Sequence, residues 1–483
     1  MNHKGIKTPL IDALKNHRNR SPSSFHVPGH KSGKIVQEAH IEPFQSIYPY
    51  DVTELDGLDD LHEATGAILK AEQAAAKLYG AVETAFLVGG STVGNLAMVH
   101  GLCEANDQVL MQRNSHKSML NAIELFQVEP IFLAPEYEEV TGHALGPSVE
   151  TVKQALEEYP KAKVLFLTCP NYYGVTIELK AIIEVAHIAG VLVCVDEAHG
   201  AHFVLGKPFP PSALQLGADV VVQSAHKMLP ALTMGSFLHF HPQLAKAQIK
   251  GIRRSLTMLQ SSSPSYLIMA SLDGARAFAA DITQDEIDRI IAGVQALTHE
   301  LATIPQLNVV ERVGSPYSFD PLKVTIKSRT QLSGFDLQKL FFSVGLDVEL
   351  ADEHHILLVF GLGTHWNRDE VVKKVRSVLH PYEVIKRDII SLKDGKKVAK
   401  LHVGSTQIRK SKKINVASDE AEGFIAAEAI IPYPPGVPVV YPGEVIDHQV
   451  ITEVNQLHEA GATFQGLNPV KDGWMVIDLE EEQ

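Results

Sequence analysis

Lys227 closes the tetrapeptide Ser224-Ala225-His226-Lys227, which directly follows the apolar run DVVVQ. At the end of a strand its amine projects into the crevice where open α/β sheets hold their ligands. A lysine amine in such a place can form a Schiff base with an aldehyde cofactor when burial or nearby charge favours the neutral amine. The plainer reading of one lysine is a solvated surface residue. Asp196 shifts the balance. It ends the run VLVCVD, 31 residues before Lys227, an interval that holds one helical crossover and one strand. Two adjacent parallel strands would then present a carboxylate and an amine to one crevice. A carboxylate beside a pyridine nitrogen keeps the ring protonated and able to take up electrons. A strand-end Asp also caps helices, and that reading stands beside the first.

Two further features fit the same chemistry. GGSTVGN, residues 89–95, follows the run TAFLV and precedes the apolar stretch LAMVHGL. Small residues let backbone N–H groups approach a phosphate, and a helix N-terminus favours the anion. Ser91 and Thr92 can add hydroxyl donors. The loop matches neither G-x-G-x-x-G nor a P-loop, which argues against a nucleotide. His116, in QRNSHKSM after the run QVLMQ, is placed to stack on an aromatic ring, although a lone His is more often a polar loop residue.

These residues need a scaffold of strands. TAFLV (84–88), QVLMQ (108–112), PIFLA (130–134), KVLFLT (163–168), VLVCVD (191–196), DVVVQS (219–224) and GSFLHF (235–240) read as buried strands. Amphipathic stretches at 148–159 and 179–189 lie between them, with Gly190 and Gly217 where helix ends are expected. The alternation predicts an α/β large domain with a mostly parallel seven-stranded sheet. Residues 266–303 read as helical, and 309–380 mix helix and strand as in a smaller α+β domain. The polar, basic stretch 389–413 marks a boundary, and the Pro-rich turn PPGVPVVYPGE (434–444) follows it. The domain reading is an N-terminal arm over 1–50, a cofactor-binding large domain over 51–300, a small α+β domain over 301–388 and a C-terminal domain over 389–483.

Bulk properties narrow the class. With 45% hydrophobic and 21% charged residues in 483, the composition is that of a water-soluble globular chain able to bury a large core. A net charge of −14 argues against general nucleic-acid binding. The basic run around Lys410, Lys412 and Lys413 reads as a solvated loop. Cys103, Cys169 and Cys194 share no metal-ligand spacing and suit a reducing compartment. No secretory leader or membrane-spanning run is seen, so the expected location is the cytoplasm.

Together the pieces resemble the fold-type-I pyridoxal-phosphate enzymes, and more closely the ornithine/lysine/arginine decarboxylase family in its short Gram-positive form. The matching stretches are FHVPGHKSG (25–33), DVTELDGLDDLH (51–62), GGSTVGN (89–95), QRNSHKS (112–118), NYYGV (171–175), DEAHGAH (196–202), SAHK (224–227), SSSPSY (261–266) and PPGVPVVYPGE (434–444), in family order through nearly the whole chain. The resemblance implies pyridoxal 5'-phosphate as cofactor and a basic amino acid (arginine, lysine or ornithine) as substrate, lost as CO2 and the matching amine. It implies that Lys227 holds the cofactor aldehyde, Asp196 faces the ring nitrogen, His116 stacks on the ring and His199 lies near it. Gly90, Ser91, Thr92, Ser224 and His226 would surround the phosphate, and His226 or Lys227 would return the proton. Gly90 stands where a hydroxyl or amide residue often stands in the family, so which side chains touch the phosphate stays open. Ser262 and Ser263 would reach the cofactor of a neighbouring subunit, implying a homodimer or larger homo-oligomer. Glu444 is a candidate for the substrate's distal cation. Polyamine synthesis and acid resistance are the family's roles.

Three rivals use the same residues differently. Another pyridoxal-phosphate reaction, such as transamination, shares Asp196 and Lys227. A metal hydrolase would draw on His199 and His202 or on His26 and His30, but neither pair has the H-E-x-x-H pattern, and no metal is expected. A non-catalytic binding subunit would not need both Lys227 and Asp196.

Overall fold

The apolar runs become strands. In a computed structural model, β1 (Glu83–Leu87), β2 (Gln108–Gln112), β3 (Glu129–Leu133), β4 (Val164–Thr168), β5 (Leu192–Asp196), β6 (Val220–Gln223) and β7 (Ser236–Phe240) each lie within one residue of the run that predicted them. Among those that follow are β8 (Leu307–Val309), β9 (Lys323–Ser328), β10 (Leu350–Ala351), β11 (His355–Val359) and β12 (Val398–Lys400). The structure describes residues 5–35, 42–312, 316–385, 397–433 and 437–478. Residues 389–396 of the basic boundary and Pro434, Pro435 and Gly436 of the Pro-rich turn lie outside the described residues. The chain divides into two units, Met1–Leu102 with Leu192–Gln284, and Cys103–Val191 with Asp285–Gln483.

In the first unit the strand order is β1-β7-β6-β5. β5 and β6 are parallel, while β7 runs antiparallel to both β6 and β1. The ends of β1, β5 and β6 and the start of β7 therefore share one edge. The sequence reading missed the reversal of β7. Every residue of that strand is buried, so its burial pattern carries no mark of direction. The helix Pro9–Asn19, read as part of an arm, buries Leu10 and Leu14, and the Leu10 N–H donates to Asp273 at 3.0 Å.

A buried polar chain crosses these four strands. Thr84 Oγ1 lies 2.8 Å from His239 Nδ1, His239 Nε2 lies 3.1 Å from Gln223 Oε1, and Gln223 Nε2 donates to Glu197 Oε2 at 2.6 Å. The Ala213 N–H donates to Glu197 Oε1 at 2.7 Å. The amide orientation fixes the rest: His239 carries its proton on Nε2 and accepts from Thr84 on Nδ1. Burial alone pushes the imidazole pKa down to about 3, so the ring is neutral. For Glu197, burial raises the pKa most, the two N–H donors oppose it, and the Asp196 charge adds to the rise, leaving it at about 8.

The helix Gly90–Leu102, which opens at the β1 edge, crosses the helix Lys246–Leu259 at nearly backbone contact. A Cβ on Gly101 would lie 2.6 Å from Ile252 Cα, and one on Gly251 would lie 2.6 Å from the Gly101 carbonyl oxygen.

In the second unit β4, β2 and β3 are parallel, and β12 adds an antiparallel edge beside β3. The sequence reading did not include this edge strand. Its Val-Ala-Lys is too short, and too embedded in polar sequence, to read as an apolar run. A separate antiparallel sheet runs β10-β11-β9-β8, with helices Gly334–Phe342 and Arg368–Leu379 capped by Ser333 and Asn367. This is the expected α+β portion. Farther on, Lys413–Val416 pairs with Trp474–Ile477 over a core that includes Trp474, Ile446 and Val454. The basic run read as a loop instead ends the helix Ser405–Lys410 and starts that strand.

Gly101→Ala is expected to destabilise the fold by about 1–3 kcal/mol, because backbone would have to move; a denaturant midpoint equal to the parent's would refute the crossing. The raised pKa of Glu197 also sets a sign. Its folded state holds the proton more tightly than the unfolded chain, so this contribution is whole below the unfolded carboxyl pKa and is lost as pH rises toward about 8. Between pH 5 and 8 the parent should lose stability on the order of a few kcal/mol that Glu197→Gln does not lose. Parallel slopes of urea midpoint against pH in the two proteins would reject this.

Candidate active site

The strand edge of the first unit gathers most of the residues singled out from the sequence. β1 ends, and Gly90 turns the chain with φ +74°, a left-handed conformation that suits glycine. Its N–H donates to the Met234 carbonyl at 2.9 Å. One step on, Ser91 Oγ lies 2.7 Å from Ser224 Oγ and donates to Ser236 Oγ at 3.3 Å. Three buried hydroxyls, from the ends of β1 and β6 and the start of β7, thus converge at the N-terminus of the helix Gly90–Leu102. Thr92 is exposed.

Asp196, the last residue of β5, is buried with both oxygens engaged. Asn95 Nδ2 donates to Oδ2 at 2.7 Å, and the Ala198 N–H donates to Oδ1 at 3.0 Å. Asn95 sits on the same helix as Ser91, so one element serves both the hydroxyl cluster and the carboxylate. Lys227 belongs to the single-turn helix Ala225–Met228 just past β6 and is exposed, with Nζ 3.1 Å from His199 Nε2. His199 is itself buried.

His226 turns the other way. Its backbone N–H and its Nδ1 both meet the Gly235 carbonyl, at 3.2 and 3.1 Å. Nδ1 therefore carries a proton, and Nε2 is left as the basic nitrogen. Burial lowers the imidazole pKa most, the Gly235 carbonyl opposes this, and the Lys227 charge lowers it further. His226 is accordingly a neutral ring near pH 7.

The remaining predicted residues have the following surroundings. Ser262 and Ser263 lie on an exposed loop, where His62 Nε2 is 2.9 Å from the Ser261 carbonyl. His116 belongs to the second unit and caps the helix Lys117–Phe126, its Nδ1 accepting the Ser118 N–H at 3.2 Å. Glu444, also in the second unit, has both oxygens engaged by Arg113, one of them at 2.9 Å, and accepts the Tyr441 N–H at 2.9 Å. A substrate cation at Glu444 would have to displace that guanidinium. His30 pairs with Asp51 at 3.1 Å, and His26 turns to the Val27 carbonyl at 2.6 Å.

Asn95 and Ser236 were not singled out from the sequence. Asn95 lies inside the quoted loop, and its spacing of four from Ser91 was the available signal. Ser236 becomes visible only once β7 is known to run backwards.

The donor set matches one kind of group. A buried carboxyl group suits a protonated ring nitrogen, clustered hydroxyls at a helix N-terminus suit a phosphate, and an accessible amine suits an aldehyde. Pyridoxal phosphate carries all three.

Comparison with known proteins agrees. The family model "Orn/Lys/Arg decarboxylase, major domain" matches residues 8–315, and that for the family's C-terminal domain matches 392–481. The uncharacterized protein YaaO of Bacillus subtilis is 42% identical over 482 residues, covering 99% of this chain and 100% of that protein. An arginine decarboxylase of the same organism is 34% identical, covering 95% of each. Among solved structures, the Francisella novicida lysine decarboxylase LdcF superposes with a TM-score of 0.81 at 20% identity, over 98% of this chain and 82% of that one. A Sphingomonas wittichii serine palmitoyltransferase reaches 0.52 at 17% identity, over 66% of this chain and 77% of that one. These likenesses identify the fold as that of the fold-type-I pyridoxal-phosphate enzymes. With the major-domain model matched over more than half its length, the chain belongs to the Orn/Lys/Arg decarboxylase family.

Proposed function

We propose that this protein is a pyridoxal-phosphate-dependent arginine decarboxylase, releasing CO2 and the corresponding amine. The observation that carries the chemistry is the cluster of Lys227, His199, Asp196 and the Ser91–Ser224–Ser236 hydroxyls on one strand edge. Arginine is favoured over lysine by kinship. Four relatives at 30–34% identity bear the name arginine decarboxylase, whereas the lysine decarboxylases are 23% identical.

When bound, pyridoxal phosphate supplies an aldehyde that takes the substrate amine and a protonated ring that takes up the electrons released with CO2. The residues do the rest. Ser91, Ser224 and Ser236 donate to the phosphate. Asp196 holds the proton on the ring nitrogen, and hydrogen bonds from Asn95 and the Ala198 N–H aim its carboxylate. Lys227 holds the aldehyde between turnovers. Its amine then moves a proton to the carbon that lost CO2, because His226, a neutral ring, is the poorer donor. His199, 3.1 Å away, accepts from that amine and fixes its direction. One proton is consumed per turnover. A homodimer is part of the proposal: Ser262 and Ser263 are exposed, as residues that reach a neighbouring subunit must be.

Carboxyl-labelled arginine, lysine and ornithine, given separately to the cofactor-loaded protein, provide the test. Labelled CO2 is expected from arginine and not from Lys227→Ala; release from lysine or ornithine alone would overturn the substrate, and release from none would overturn the reaction. Asn95→Ala removes a buried hydrogen bond to Asp196 and is expected to lower kcat/KM by roughly 10–100-fold, measured on protein shown by circular dichroism to be folded. Unchanged kinetics would remove Asn95 from the site.

A further inference from the structure

The second unit contains a partly buried cluster that the proposed reaction does not use. His143, Asp352 and His355 bring one ligand atom each to within 4.8 Å of one another. His143 Nε2 lies 2.9 Å from Asp352 Oδ2, and His355 Nδ1 lies 3.1 Å from Oδ1. Ligands sharing one ion with bonds of about 2.1 Å stand about 3.0–3.4 Å apart, so these separations suit coordination as well as hydrogen bonding.

The surroundings favour coordination. Asp352 is held independently of both rings: the backbone N–H groups of His354 and His355 donate to Oδ1 at 2.8 Å each, and the Tyr173 hydroxyl donates to Oδ2 at 2.5 Å. The His143 ring lies against Tyr173 with centroids 3.4 Å apart, and its Nδ1 faces Glu138 Oε2 at 4.0 Å. Arg312 holds Glu138 in turn, at 2.8 Å. Outer-shell carboxylates and donors of this kind orient metal ligands. A cavity of about 130 Å³ adjoins, lined in part by His143, Tyr173, Asn114, Thr168 and Asn171. Asn114 Oδ1 and Thr168 Oγ1 are buried without hydrogen-bond partners. The cavity has room for water on the His143 side of the cluster.

We infer that His143, Asp352 and His355 form a binding site for a divalent cation of the zinc class, completed by water from this cavity. Two imidazoles and one carboxylate suit zinc better than magnesium or calcium, which prefer oxygen ligands throughout. Such an ion would tie the loop after β3 to the turn between β10 and β11.

The cofactor-loaded full chain, stripped with a chelator and desalted, would be titrated with Zn(II) by calorimetry and with Co(II) by visible absorption. One equivalent per chain is expected, with affinity at least tenfold weaker in Asp352→Asn and in His355→Gln. Because the chain has 23 histidines, crystals of the unaltered protein soaked in Zn(II) would locate the ion by anomalous scattering, whether or not the variants fold. A peak among the three side chains supports the site. Sub-stoichiometric binding, affinity unchanged in both variants, or a peak only elsewhere would overturn it.

Discussion

A buried carboxylate needs partners, and at Asp196 that need organises the candidate site. The apolar run of β5 ends in an acidic side chain inside the fold. Leaving it unpaired would cost several kcal/mol. One partner is local, the Ala198 N–H. The other is Asn95, 101 residues away in sequence, on the helix that opens after β1. Meeting this demand fixes the helix, and the helix carries Ser91 to the hydroxyls of Ser224 and Ser236. The close glycine crossing with Lys246–Leu259 holds the same helix from behind. Carboxylate geometry and anion pocket are therefore not independent features; one rigid element sets both.

Much of this was legible before any coordinates. The seven large-domain strands announce themselves because two-sided burial demands unbroken apolar runs. Lys227, Asp196 and the Ser91 loop follow such runs, so strand ends could be read as site positions. What was not legible depends on direction and on distance. Nothing in Ser-Phe-Leu-His-Phe says that the strand runs backwards, and without that fact Ser236 sits at the wrong edge. The Arg113 partner of Glu444 is 331 residues away, so the pairing cannot be read from local sequence. His116 also caps a helix, a contact that depends on the backbone two residues on. His143, Asp352 and His355 share no motif, since the spacing that unites them exists only in the fold.

The division of proton duties also follows from placement. His226 and Lys227 are neighbours in sequence, yet the Gly235 carbonyl claims one and leaves the other accessible. A single carbonyl, set by the reversal of β7, thus separates a ring with a committed proton from an amine able to move one. The chain also leaves the first unit at Leu102 and returns at Leu192. β5 and β6 therefore join β1 only after a long closure, and pairings of that kind form slowly in folding.

The polar chain from Thr84 through His239 and Gln223 to Glu197 has a direction. Each link donates toward the next in one sense, from β1 to the end of β5, with the Gln223 amide as its one-way valve. A slip of one residue in any strand would turn these groups to the opposite face and set apolar side chains against them. Close-packed Val and Phe residues are interchangeable enough to tolerate several registers; four matched donors and acceptors are not. The row acts as a parity check on strand alignment, and drift at one of its positions requires a matching change at the next.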